Sequence, residues 1–224
     1  MTIKAIIPTC DNYVWLMNGF FHQWQKHCGL PGMVVCEYKV PRVPGNWSFV
    51  RAGYQTEVKH WTGNLLVALE QIYDDTVLLL LEDYWLTYAD MKRLRQLELL
   101  MKDDRSIDKI DLTNDRLGFG HVNYSADFVR STQDAEYLTS VQTAIWRTSF
   151  LCECLHNPSW NPWQFEVEGS KRAKLFTHKV LGCKVPVMAN ANIVLKGIIS
   201  QSDINKFSEQ ERQELTDIGA FNKE

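Results

Sequence analysis

The chain has 224 residues, of which 45% are hydrophobic and 23% charged, the balance of a globular protein with one sizeable core. Its 24 basic and 27 acidic side chains leave a formal charge of −3, which argues against a protein that coats nucleic acid by bulk electrostatics. No stretch approaches the ~20 apolar residues of a bilayer-spanning helix, and the first residues read as the start of a strand rather than a signal peptide, so the expected location is cytoplasmic.

Lys4 to Pro8 reads as a first strand. Cys10-Asp11-Asn12-Tyr13 follows as a turn, where Asp11 or Asn12 could cap the next helix. Trp15, Leu16, Phe20 and Trp24 recur at helical spacing from Val14 to Cys28, and Gly29-Leu30-Pro31-Gly32 stops that helix. Met33 to Cys36 is a second strand, and the Pro/Gly-rich stretch from Pro41 to Gly53 reads as a loop. Asn64 to Tyr73 reads as a helix opened by His60 and Trp61, with Leu65, Ala68, Leu69 and Ile72 on its core face. The apolar run Thr76 to Leu81 is a strand buried on both faces, and it ends abruptly in Glu82-Asp83. A helix over Ala89 to Met101, a strand over Ile107 to Leu112 and a strand ending at Trp146 follow, the last running into a helix at Thr148 to Leu155. Val185-Pro186-Val187 and Asn192 to Leu195 are short strand candidates, and Ser208-x-x-Glu211 opens a closing helix to Asp217. This alternation predicts an α/β three-layer sandwich of Rossmann type with a mixed, mainly parallel central sheet.

Some chemistry is excluded by what the motifs lack. The six cysteines form no C-x-x-C pair, so they are expected to be free thiols, and the six histidines carry no zinc signature. Pro8-Thr9-Cys10-Asp11 follows the first strand where a dinucleotide fold or a P-loop would place glycines. What remains is the acidic pair. Ligands of open α/β sheets bind beyond the carboxyl ends of the strands. Glu82 and Asp83 at that edge could hold a hard cation through oxygen, and the cation could neutralise a diphosphate.

Taken in order, several segments resemble one family. They are Ile7-Pro8-Thr9, Trp61-x-x-Asn64-Leu65-x-x-Ala68-Leu69, Leu80-Leu81-Glu82-Asp83-Tyr84-Trp85 and Ser140-x-Gln142-x-Ala144-Ile145-Trp146-Arg147. Asn161-Pro162-Trp163-Gln164-Phe165-Glu166-x-x-Gly169-Ser170 and Asn192-x-Val194-x-Lys196-Gly197 complete the set. Together they resemble GT-A-like, family-2-like glycosyltransferases of the small bacterial and phage type.

The resemblance implies a single domain over 1–224, with a nucleotide-sugar-binding half to about residue 90, an acceptor half over about 91–200 and a C-terminal helix over 201–224. It implies a nucleotide-sugar donor, UDP-linked above all, held by Pro8, Thr9, Asp11, Asn64, Glu82, Asp83 and Lys196. It implies a divalent cation, Mn or Mg, on Asp83 and Glu82. The family's Asp-x-Asp motif is incomplete here, because Tyr84 stands in its third place. Glu166 is the expected catalytic base of an inverting transfer, with Glu168 beside it if the segment is extended. Gln142, Trp163, Arg147 and Arg172 are the expected acceptor residues, although Arg147 could instead pair with Glu166 or a phosphate. The helix opened by Trp61 and Asn64 would present free N–H groups to phosphates. The acceptor would be a glycan or, close behind, hydroxymethylated bases in DNA, met by Arg147, Lys171, Arg172 and Lys174. A catalytically degenerate protein that binds a saccharide or a partner is the alternative.

Overall fold

The computed structural model describes residues 3–54 and 61–222, so His60 lies outside the described residues. The first half runs β1 (Lys4–Pro8), α1 (Met17–His27), β2 (Gly32–Cys36), β3 (Trp47–Arg51), α2 (Trp61–Leu69), β4 (Thr76–Leu79), β5 (Tyr84–Ala89) and α3 (Met91–Asp103). The second half opens with β6 (Lys109–Asp111), β7 (His121–Asn123), β8 (Phe128–Ser131), β9 (Ala144–Arg147) and α4 (Thr148–Cys154). Then come α5 (Pro162–Gln164), a π-helical turn (Phe165–Gly169), α6 (Ser170–Ala173), β10 (Val180–Cys183) and β11 (Met188–Asn192). The chain closes with β12 (Val194–Leu195), β13 (Ile198–Ile199), α7 (Gln201–Ile204) and α8 (Glu209–Asp217).

Nine strands form one sheet in the order β3-β2-β1-β4-β9-β6-β10-β8-β7. The neighbours β3, β2, β1 and β4 are parallel, and so are β6 and β10. β9 runs against both β4 and β6, and β8 against β10 and β7. Successive side chains of a strand point to opposite faces, and the core divides accordingly. Ile7, Val34, Leu78 and Ile145 face α1, α3 and α8, whereas Ile6, Val35, Leu79 and Trp146 face α2, α4 and the helical segment at 162–173. Each fully buried aliphatic side chain among these contributes about 1.5–3 kcal/mol. The result is the expected mixed, mainly parallel α/β sandwich. Among the described residues no helix is long and apolar enough to cross a membrane.

One helix sits unusually close to its neighbour. A Cβ added at Gly19 of α1 would lie 2.1 Å from the ring of Trp85 in β5, and Trp85 is fully buried. The absence of a side chain at Gly19 is what lets the helix backbone rest on the indole.

Several elements differ from expectation. The 41–53 stretch contains β3, an edge strand in which Trp47 and Val50 are buried while Ser48, Phe49 and Arg51 are exposed. β5 begins directly after the acidic pair and pairs with β11 in a separate ribbon. Val185-Pro186-Val187 is a bend, because Pro186 has no N–H to give a ladder. The segment carrying Glu166 is helical, not extended. Asn161 and Gln164 form a reciprocal capping box with Pro162 at the first position, a strong helix start. Asp11 caps no helix: its carboxylate accepts from the backbone N–H of Tyr38 and Lys39 at 3.0 and 2.8 Å.

Candidate functional site

The carboxyl ends of β1, β2 and β4 open onto a cavity of about 670 Å³. Pro8, Thr9 and Cys10 reach it from β1, Glu37 from β2, and Glu82, Asp83 and Tyr84 from the turn after β4. Asn64 comes from α2, Gln142 from the approach to β9, Trp163 and Glu166 from the 162–173 helix, and Lys196 from the β12–β13 hairpin. Segments far apart in sequence thus meet where a parallel sheet leaves its strand ends open.

The acidic pair is held out of water. Glu82 is 8% exposed. Burial, and next the neighbouring charge of Asp83, push its pKa well above the usual carboxylate range, with the Thr9 hydroxyl pulling weakly the other way. Burial also raises Asp83. The Asn192 amide, with its nitrogen toward the oxygens around it, donates to Asp83 Oδ2 at 3.0 Å and to the Val194 carbonyl at 3.1 Å. Asp83 Oδ1 is buried with no hydrogen-bond partner among the described residues. Two desolvated carboxylates with an orphaned oxygen fit a hard cation, which would relieve the charge that burial penalises. Among the described residues no group of three or more His, Cys, Asp or Glu is placed to hold a metal ion, so these two protein groups would need oxygens from elsewhere to complete a coordination shell.

Across the cavity, Glu166 is half-buried in the π-helical turn. Its Oε1 accepts from the Val141 N–H at 2.9 Å. Burial raises its pKa, with the Val141 hydrogen bond and the charge of Lys109 partly offsetting the rise. The loop that supplies Val141 is fixed from below by a buried ion triad. Asp111 contacts Lys109 Nζ and Arg116 Nε, each at 2.7 Å. Lys109 also donates to the Ser140 carbonyl at 2.8 Å, and Arg116 to the Tyr137 carbonyl at 2.8 Å. A buried triad of this kind specifies geometry more than it stabilises. Here it sets the 137–142 loop that carries both Val141 and Gln142.

Gln142 Nε2 donates to the Tyr84 hydroxyl at 3.2 Å. Burial, followed by the charges of Asp83, Glu166 and Asp115, raises the Tyr84 phenol and keeps it protonated. Lys196 and Gly197 both have positive φ, 51° and 81°, which makes a two-residue primed hairpin turn. That turn places Lys196 on the cavity rim. Trp163, 71% exposed, stands at the mouth.

Four expected site residues lie elsewhere. Arg147 is buried and donates to the carbonyls of Ile107 and Met101 at 3.0 and 2.8 Å, so its guanidinium ties down the end of α3 rather than meeting Glu166 or a phosphate. Arg172 faces Glu153 at 3.5 Å, and Glu168 pairs with Lys171 at 2.7 Å in solvent. In a helix, residues two apart diverge, which sends Glu168 away from the cavity that Glu166 lines. Asp11 holds the 37–39 loop instead, and its own N–H donates to Glu37 at 3.1 Å. Two of the N–H groups at the start of α2 are not free for phosphates either. Thr62 N and Gly63 N donate to the carbonyls of Trp160 and Pro158 at 3.1 and 2.9 Å. Conversely, Tyr84, Glu37 and Asn192 line the site without having been expected there. Two of them had a signal in the sequence: Tyr84 stands next to the acidic pair, and Asn192 opens the Asn192-x-Val194-x-Lys196-Gly197 segment.

No protein-family model matches the chain, and no curated protein matches it. Solved structures do. S. aureus TarS 1–349 in complex with UDP-GlcNAc superposes with a TM-score of 0.56 at 14% identity, over 100% of this chain and 72% of that one. CMP:2-keto-3-deoxy-manno-octonic acid synthetase complexed with CTP gives 0.54 at 13%, over 97% and 100%. Apo UDP-glucose pyrophosphorylase gives 0.53 at 9%, over 86% and 93%. The chain therefore has the GT-A-like α/β fold that these proteins share.

Proposed function

We propose that this chain is a glycosyltransferase that moves a sugar from a nucleotide-sugar donor, UDP-linked by preference, to an acceptor hydroxyl with inversion. One observation carries the reading. A single cavity at the strand ends joins a desolvated carboxylate pair, Glu82 and Asp83, to a separate half-buried carboxylate, Glu166. The two acidic centres suit two tasks. Glu82 and Asp83 would hold a divalent cation, which when bound supplies positive charge against the departing diphosphate. Lys196 adds a cation on the same rim, and Pro8, Thr9 and Asn64 border the space for the nucleotide. Glu166 takes the proton of the acceptor hydroxyl as that oxygen attacks the anomeric carbon. The bond from the anomeric carbon to the diphosphate oxygen breaks, and its electron pair leaves with the diphosphate. A carboxylate whose pKa is raised is a better base for this step.

Nucleotidyl transfer, the chemistry named for two of the structural neighbours, is less well supported. It must bind a triphosphate, yet Lys196 is the one Lys or Arg among the described residues lining the cavity, against Glu37, Glu82, Asp83 and Glu166. The DNA acceptor loses its expected groove, because Arg147 is buried and Lys171 and Arg172 are paired with acids. The test is hydrolysis and binding of a panel of UDP- and GDP-sugars, with and without Mn²⁺ or Mg²⁺. Binding of at least one donor, strengthened by the cation, is expected. Failure to bind any nucleotide sugar would overturn the proposal, and binding without turnover on any acceptor would favour a non-catalytic saccharide- or partner-binding role.

A further inference from the structure

A second cavity, of about 310 Å³, adjoins the first, and Tyr84, Gln142 and Asn192 line both. The Gln142–Tyr84 hydrogen bond is therefore the partition between them. Beyond it the walls are mainly polar, built from Thr113, Asn114, Asp115 and Asn190 with Lys206 at the edge, and Pro186, Met188 and Ala189 add an apolar strip of the kind a sugar ring's C–H face can lie against. Asp115 Oδ2 accepts from Thr113 Oγ1 at 2.7 Å, which fixes the carboxylate. Asn190 Oδ1 accepts only a long bond of 3.4 Å from Thr143. The Asn114 side chain and the Asn190 amide nitrogen have no hydrogen-bond partner among the described residues. Planar amides and a carboxylate, each with donors or acceptors to spare, are the groups that read vicinal hydroxyls. The charge is wrong for an anion: Asp115 is an acid, and Lys206 is already paired with Asp203.

Resting on the glycosyl-transfer reading, we propose that this second cavity is the acceptor subsite, and that it takes a neutral sugar or polyol held by Asn114, Asp115, Asn190 and Gln142. An occupant there presents a hydroxyl past the Tyr84–Gln142 partition toward the cavity that Glu166 lines. The Tyr84 hydroxyl is a hydrogen-bonding group common to both sides. The size of the cleft suits one ring, with the exposed Trp163 at the mouth of the neighbouring cavity free to meet a longer chain.

Saturation-transfer NMR on the full chain separates this inference from the donor assignment. The probes are methyl glycosides of glucose, galactose, mannose and N-acetylglucosamine, with glycerol 3-phosphate and a hydroxymethylcytosine oligonucleotide as anionic competitors. A UDP titration of the same samples, followed by tryptophan fluorescence, reports on the first cavity. At least one neutral glycoside should receive saturation. The double substitution Asn114→Ala/Asn190→Ala should weaken its Kd tenfold or more, since each neutral hydrogen bond is worth several-fold in affinity. Asp115→Asn, which keeps the shape of the side chain, should weaken it several-fold. Saturation of the anionic probes alone, or glycoside binding indifferent to all three substitutions, would overturn the inference. Loss of UDP binding with glycoside binding kept would instead overturn the donor reading and leave the cleft a sugar site.

Discussion

At the residue scale, the proposed division of labour between two acidic centres has separable consequences. Glu166→Gln should leave nucleotide-sugar binding near the wild-type value and cut turnover by about 10²-fold or more, because only the proton acceptor is lost. Asp83→Asn should weaken the cation-dependent part of donor binding. Calorimetry of donor binding beside turnover distinguishes the two, and the reverse pattern would exchange the roles. The same carboxylate predicts a pH profile. Burial raises Glu166, and only its ionised form accepts a proton, so activity should rise with pH through a midpoint above the ordinary glutamate range. That limb should vanish from the residual rate of Glu166→Gln, and a limb retained there belongs to another group. These residues differ in how far the sequence exposed them. Glu82 and Asp83 stand out in the sequence because charge interrupts an apolar run there, whereas Glu166 is singled out only by the resemblance of Trp163-Gln164-Phe165-Glu166 to the family's pattern. Arg147, Arg172 and Asp11 were misplaced because a cation or an acid beside a motif has many local partners. Helix-end carbonyls, a neighbouring glutamate and loop N–H groups claimed them first.

Elements show the same limit at a coarser grain. β1, α1, β2 and β4 follow from periodicity and from their Gly and Pro punctuation, and β1, β2 and β4 are the strands whose ends open onto the cavity. β7 and β8 did not, since three- and four-residue strands carry too little pattern to separate from loop. The capping box at Asn161 was written in the sequence, but its helix starts without an apolar stripe, and so the segment read as extended. Two substitutions probe how elements are set. Gly19→Ala should drive α1 off the Trp85 ring and cost about 1–3 kcal/mol, read as a lower urea midpoint at unchanged slope. An unchanged midpoint would mean that the helix can move without penalty. Lys196 occupies a left-handed position that Asn and Gly tolerate better than Lys. Lys196→Asn should therefore hold or raise the melting temperature while weakening donor binding several-fold. A variant that loses stability would remove the argument that the lysine is kept there for its charge.

Over the whole molecule, α8 closes the face of the sheet that α1 and β5 cover. Trp85 lies against Phe207 and Phe221, with ring centroids at 6.4 and 5.6 Å, and the Asp203 carboxylate accepts from Asn192 N at 3.1 Å. Lys26 of α1 bridges Glu211 and Glu214 at 3.1 and 3.2 Å. Partial burial pushes Glu211 up, but hydrogen bonds from Ser208 and Lys26 outweigh it and bring it down to about 2. The folded form of such an acid has the lower pKa, so its stabilisation is present above the unfolded value of about 4.5 and is lost as pH falls toward 2. Acid unfolding followed by tryptophan fluorescence should show a loss in that window, and Lys26→Ala should flatten it; an unaltered acid limb would place the sensitivity elsewhere. The central position of β9 has a further consequence, for biosynthesis. β3, β2, β1 and β4 come early in the chain and can pair while it is still being made, but the far edge of β4 waits for residues 144–147. At ~5–20 residues per second that edge stays open for several seconds on the ribosome. It is a fully buried apolar strand, Thr76-Val77-Leu78-Leu79, with unpaired backbone donors and acceptors. A nascent chain in that interval offers a template for strand addition to any neighbour. The antiparallel insertion that completes the sheet is thus also the step at which a partly made chain is most exposed to aggregation and most in need of a chaperone.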